Sequence, residues 1–167
     1  WQAFNYTYLI IYPPERLDQV LQLLGFQAYD NYNTRYAEQK ARRETTTLAG
    51  RGQFFAWFNL GANLVALQDY TAAATAFDAA FAHYSELPQA ERPWRIMWYQ
   101  TGPYFAYFYT GRYQDVINLA TTTLDAASEK ILEESFYWRG RALLATGDNE
   151  GAIADFRKSM EVLKDFT

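Results

Sequence analysis

From about residue 31 onward, large apolar residues return every three or four positions, the spacing that puts them on one face of an α-helix. The pattern is cut at Gly50-Arg51-Gly52, Gln68-Asp69, Leu87-Pro88, Thr110-Gly111, around Ser128, and at Gly147-Asp148. These breaks predict helices of roughly 14–18 residues, and connections this short force neighbouring helices to run antiparallel. Residues 31–48 carry mixed charge and few large aliphatics, so the pattern is weaker there. The opening of the chain is different. Residues 6–12 are rich in β-branched and aromatic side chains, end at Pro13-Pro14 and predict one short strand. Leu17, Val20, Leu21 and Leu24 then fall at helical spacing, with Gly25 as the stop. A lone strand cannot satisfy its own hydrogen bonds, so it either pairs outside this segment or lies as an extended arm.

The helical part repeats itself. Trp57-x-x-Leu60-Gly61-x-x-Leu64 is followed by Tyr70, Ala73, Phe77 and Ala80. A second unit runs through Tyr104, Tyr107, Gly111, Tyr113, Val116 and Ala120, and a third through Phe136, Gly140, Leu143, Gly147, Ala152 and Phe156. Gly61 admits close approach of two helices, Ala73 and Ala80 are small where the next helix crosses, and the large residues fill the seam. Tyr70 to Tyr113 is a step of 43 residues and Gly111 to Gly147 a step of 36. This spacing resembles the tetratricopeptide repeat (TPR), whose period is about 34 residues, with an insertion at residues 88–94 lengthening the first step. The second unit departs from the pattern at its small-residue positions. The resemblance implies an all-α, right-handed superhelix of antiparallel helix pairs, preceded by the short extended segment. The expected organisation is an arm or strand at 1–14, N-terminal helices at 15–50 forming a cap or worn repeat, and three units at about 53–88, 94–128 and 130–166.

A narrower resemblance rests on the opening Trp1-x-x-Phe-Asn-Tyr-Thr-Tyr-Leu-Ile-Ile-Tyr-Pro-Pro-Glu15, with Trp57-Phe-Asn-Leu-Gly61, Trp98-Tyr-Gln-Thr-Gly-Pro-Tyr104 and Phe136-Tyr-Trp-Arg-Gly140. These segments look like the C-terminal part of bacterial C39-like (papain-fold) peptidase proteins with TPR tails, common in Chloroflexota. That resemblance implies that residues 1–12 are the last strand of an upstream peptidase-like domain. The chain begins at Trp1 rather than Met, which fits a piece of a longer protein whose address lies elsewhere. The compartment is unreadable, and an extracytoplasmic or membrane-tethered parent is one expectation. The family's catalytic Cys and His lie upstream, and none maps onto this sequence.

Composition narrows the chemistry. With no Cys and a single His83, the chain lacks the thiolate and imidazole pair of a cysteine peptidase and the usual ligands of a metal site. Glu133 and Glu134 are adjacent, so on a helix they diverge rather than converge. Gly50-Arg51-Gly52 lacks the remaining residues of a phosphate-cradling loop. We therefore expect no catalysis, cofactor or metal from these residues. The net charge of −4 opposes general phosphate binding. Arg35, Lys40, Arg42, Arg43 and Arg51 are interrupted by Glu38 and Glu44 and read as a solvated helix face rather than a nucleic-acid groove. No apolar run approaches the ~20 residues needed to span a bilayer, so direct membrane insertion is not expected.

What remains is the aromatic content: 14 Tyr, 12 Phe and 5 Trp, a composition that suits packed helix interfaces and recognition surfaces alike. In stacked helix pairs the first helix of each pair lines the inner wall. Positions three or four apart give Phe55, Phe58, Ala62 and Val65, then Trp98, Thr101, Phe105 and Tyr109, then Glu134, Tyr137 and Arg141. We expect Phe55, Phe58, Asn59, Trp98, Phe105, Tyr109, Tyr137 and Arg141 to hold a peptide or protein partner. Known TPR clamps for a C-terminal carboxylate use Lys, Asn and Arg; here only Asn59 and Arg141 survive, which favours an apolar or extended ligand. Three readings stay open at this stage: a peptide-binding scaffold, a substrate-positioning tail docked to an upstream peptidase domain, and a structural subunit of a larger complex.

Overall fold

The computed structural model describes residues 29–93, 101–126 and 132–164. The strand expected at 6–12, the helix expected at 15–24, the break around Ser128 and the ring of Trp98 lie outside the described residues. Among the described residues the chain forms α1 (Tyr29–Thr47), α2 (Arg51–Ala66), α3 (Tyr70–Glu86), α4 (Gly102–Tyr109), α5 (Tyr113–Ala126), α6 (Glu133–Thr146) and α7 (Asn149–Lys164). A short 3-10 turn, Gln89–Glu91, falls between α3 and α4 within the expected insertion. There is no strand among them. The fold is all-α, as the periodicity predicts. Each helix packs on the next, from α1 on α2 through α6 on α7, and α2 also reaches α4.

The repetition is plainest where the first helix of each pair ends. Gln68, Gly111 and Gly147 all adopt left-handed backbone, with φ of 62°, 76° and 91°. In each case the following N–H reaches back five residues. Asp69 donates to the Leu64 carbonyl at 2.9 Å, Arg112 to Tyr107 at 2.8 Å, and Asp148 to Leu143 at 2.9 Å. This is the same C-terminal cap three times, absorbing carbonyls that a helix end leaves without partners. The second helix then starts at once. The Asp69 carboxylate accepts from the Ala72 N–H at 3.1 Å, and Asp148 accepts from Gly151 at 2.9 Å. Gly50, also left-handed, makes the break before α2, and Gly52 belongs to that helix's first turn.

Within a pair, one ring lies where its neighbour has no side chain. A Cβ placed on Gly61 would stand 2.7 Å from the Phe77 ring, and one on Gly140 would stand 2.8 Å from Phe156. The second pair inverts the sizes: the large Tyr104 occupies the glycine position and Ala120 the phenylalanine position, and both are buried. What looked degenerate in sequence is thus an exchange of large and small. The Tyr104 hydroxyl, buried and pushed up in pKa by that burial, shares a hydrogen bond with Ser135 of α6 at 3.0 Å.

Charged side chains tie the pairs together. Arg112 donates to Asp78 of α3 at 2.7 and 3.0 Å and to Asp115 at 2.6 Å, while its guanidinium lies 4.3 Å above the Tyr107 ring. Tyr107 also donates to Asp78, at 2.9 Å, and burial followed by that carboxylate raises its pKa strongly. In the third pair Arg139 grips the buried Asp155 through two hydrogen bonds of 2.7 and 2.8 Å, with a third donated to Thr121 of α5.

Two stability predictions follow from the backbone. Gln68 bears a side chain in a conformation that favours glycine, and that side chain is exposed. Gln68→Gly should stabilise the chain by roughly 1 kcal/mol, read as a rise of about 2–4 °C in melting temperature. Unchanged or lower melting would count against the strain. Conversely, Gly61→Ala should destabilise by about 1–2 kcal/mol, because overpacking against the fully buried Phe77 outweighs alanine's helix preference. Gly140→Ala should cost less, since Phe156 is only half-buried and can yield. Urea unfolding of the two variants would check both the sign and the order.

Candidate functional site

The inner-wall residues divide once their contacts are read. Phe58 is 2% exposed and packs its ring against Phe54, Phe77 and Phe81, at centroid distances of 5.6, 5.1 and 6.3 Å. It is a core residue, not a ligand contact: the row through Phe54 and Phe58 turns toward α3. Phe55 is half-buried beside Phe54, with Arg51 5.5 Å from its ring. Asn59 is exposed and lines a shallow cleft of about 310 Å³ between α1 and α2, beside Ala37, Lys40, Ala41, Glu44, Ala62 and Asn63. Among the described residues, neither Phe55 nor Asn59 has a ring or polar contact with the aromatic residues of α4 and α6.

Those residues, by contrast, form one continuous patch. Phe105 and Phe108 of α4 stand 4.4 and 5.6 Å from Trp138 of α6. Tyr109 completes the row, stacking on Tyr70 at the start of α3 with centroids 4.7 Å apart and planes within 25°. Tyr137 meets Trp138 edge-on at 5.8 Å and leans toward Phe156 of α7 at 6.1 Å. Such offset and edge-on contacts satisfy the ring quadrupoles and add to plain area burial. Trp138 is the hub and is only 3% exposed, whereas Tyr109 and Tyr137 are 50% and 44% exposed. The patch therefore has a fixed floor and two open rims.

Over that floor lies Arg141. Its guanidinium carbon is 4.2 Å from the Phe108 ring centre and 4.6 Å from Trp138, with Tyr137 and Tyr109 at 5.7 and 5.9 Å. Of the expected contact residues, the structure brings Phe105, Tyr109, Tyr137 and Arg141 into contact with one another or with Trp138. It adds Tyr70, Phe108 and Trp138. The signal for Trp138 was available: it stands three residues before Arg141, so the two share a face of α6. Residues 133–162 match the family model of the tetratricopeptide repeat.

The tetratricopeptide match falls on α6 and α7, the pair that supplies Tyr137, Trp138 and Arg141. No curated protein and no solved structure matches the chain significantly. Together, the helical-repeat fold and the tetratricopeptide match support a protein-interaction scaffold. They do not bear on the resemblance to peptidase tails, whose opening segment lies outside the described residues. Elsewhere, His83 stands 3.3 Å from Glu86 on the same helix. In the basic stretch, Arg42 pairs with Glu38 and Lys40 with Glu44. No cluster of three metal-ligating side chains occurs among the described residues, and no described helix is long and apolar enough to cross a membrane.

The floor and the rims should separate by mutation. Trp138→Ala should cost about 3–5 kcal/mol of stability, as expected when a buried large ring is removed. Tyr137→Ala should cost under about 1 kcal/mol, since its ring is nearly half exposed. Chemical denaturation of both variants measures this, and equal losses would contradict the division.

Proposed function

We propose that the chain is a non-catalytic scaffold that holds an extended peptide segment of a protein partner on the aromatic patch of α4 and α6. The observation that carries this reading is the run of rings from Tyr70 through Tyr109, Phe105, Trp138 and Tyr137, rigid at its centre and open at its edges. Exposed Tyr beside a buried Trp and an Arg is the composition that concentrates binding energy in protein interfaces. A preformed floor also lowers the entropy lost on binding, because few side chains must be ordered when the ligand arrives. The fold supports the same reading, since antiparallel pairs stacked in order present their first helices along a shared wall.

In this proposal the contact set is Tyr109, Tyr137 and Arg141 at the surface, with Phe105, Phe108 and Trp138 beneath. Trp98 belongs to the expected contacts by sequence and is kept as a proposed neighbour of this wall. Phe55 is likewise kept as a proposed contact by sequence, and Asn59 belongs to the cleft between α1 and α2.

The test uses peptides selected by the purified chain from a random, end-capped library and measured by fluorescence polarisation. Tyr109→Ala combined with Tyr137→Ala should weaken the selected peptides by about tenfold or more, the loss typical of interface anchors. Ile153→Ala combined with Met160→Ala, on exposed positions of α7, should leave affinity unchanged. Equal binding by the wild type and the tyrosine variant would move the site off this patch.

A further inference from the structure

Arg141 differs from the arginines that the fold holds through hydrogen bonds, Arg92 on the Leu87 and Ser85 carbonyls among them, and from Arg51, which lies over one ring alone. Arg42 is paired with Glu38, Arg112 with Asp78 and Asp115, and Arg139 with Asp155. Among the described residues no carboxylate comes within ion-pair distance of Arg141, and Glu134 stands two turns earlier on the same helix. The partners of Arg141 are rings: Phe108 and Trp138 close by, Tyr137 and Tyr109 further out. Rings attract a cation through their faces but offer nothing to the five N–H donors around its edge. No buried side-chain nitrogen or oxygen lacks a partner among the described residues, so these donors are not sealed inside the protein.

We propose that Arg141 accepts the carboxylate of an Asp or Glu side chain within an otherwise apolar peptide lying across Tyr109 and Tyr137. This rests on the peptide-binding reading above and names the chemistry of the ligand. A guanidinium is planar and weakly hydrated, and its fork matches a carboxylate through two parallel hydrogen bonds. The rings strip water from its faces and hold it in one orientation, so little freedom is lost when the anion binds. One cation balances one carboxylate, whereas a phosphate, with its larger charge, is matched better by several positive groups. The surroundings select a side-chain carboxylate rather than a chain terminus. Among the described residues the contacts of Arg141 are rings, and these suit large apolar residues on both sides of the acid.

The experiment presents the full chain with two random peptide libraries, one amide-capped and one with free C-termini, and resynthesises the selected peptides with the acid changed to its amide. We expect the capped library to yield Asp or Glu beside a large apolar residue. Arg141→Gln should weaken an acid-containing peptide by about tenfold, the scale of a charge-assisted hydrogen bond at a partly exposed site. The amide peptide should lose a similar factor against the wild type, a comparison that does not depend on how the variant folds, and should bind both proteins alike. Arg141→Lys should restore only part of the loss. Apolar peptides selected without an acid, and bound equally by Arg141→Gln, would overturn the carboxylate while leaving the aromatic patch in place. Selection only from free C-termini would overturn it in favour of a terminal carboxylate. Selection from neither library would remove the peptide-binding reading itself.

Discussion

Two helices close tightly against each other where a large ring meets a position that gives it room, and two of the described pairs meet that demand with a glycine. Phe77 lies over Gly61 and Phe156 over Gly140, so closely that a single added carbon would collide. In the middle pair Tyr104 and Ala120 stand at the corresponding positions with large and small exchanged, both buried in one cluster. Because interiors pack at near-crystalline density, such a seat fixes both the separation and the rotation of the two helices. Those in turn decide which positions of α4 and α6 face outward. The aromatic patch is therefore a consequence of the seats beneath it.

The sequence showed much of this because its punctuation is regular. Gly111 and Gly147 mark two of the three left-handed caps, and a glycine in that role is legible from pattern alone. Gln68 occupies the third cap without the residue that announces it, and the conformation became visible only with its φ of 62°. The second pair was harder. A motif that expects a small residue first and a large one second reads Tyr104 and Ala120 as decay, although the summed volume is what packing conserves. Residues 88–93, including the short 3-10 turn, lengthen the path into α4 and stretch the first step of the repeat.

The inner wall was less legible, for a geometric reason. Spacing of three or four positions defines a helical face, but a wide apolar helix has several such rows. On α2 the row through Phe58 turns into the seam with α3, and α1 packs along another side, leaving Asn59 in their shared cleft. On α6 the row through Tyr137 was recognised and the adjacent row through Trp138 was not, although Trp138 joins the α4 rings to Tyr137 and Arg141. Counting along one helix cannot decide which of two neighbouring rows the next helix will cover. That depends on the crossing, which the seats between pairs set.

In the proposed function, Trp138 links stability to recognition. It is buried enough to belong to the core, and it contacts Phe105, Phe108, Tyr109, Tyr137 and Arg141. A surface whose centre is also core cannot relax independently of the fold, so its exposed rings and its cation are held in place before any partner arrives. The consequence runs in both directions. The ligand proposed to rest on Tyr109 and Tyr137 would also press on the joint between α4 and α6, and so would stabilise the folded chain by mass action. Arg141 sharpens the effect. Its charge is held over rings, without a counter-charge among the described residues, and a bound anion would supply what the fold itself leaves out.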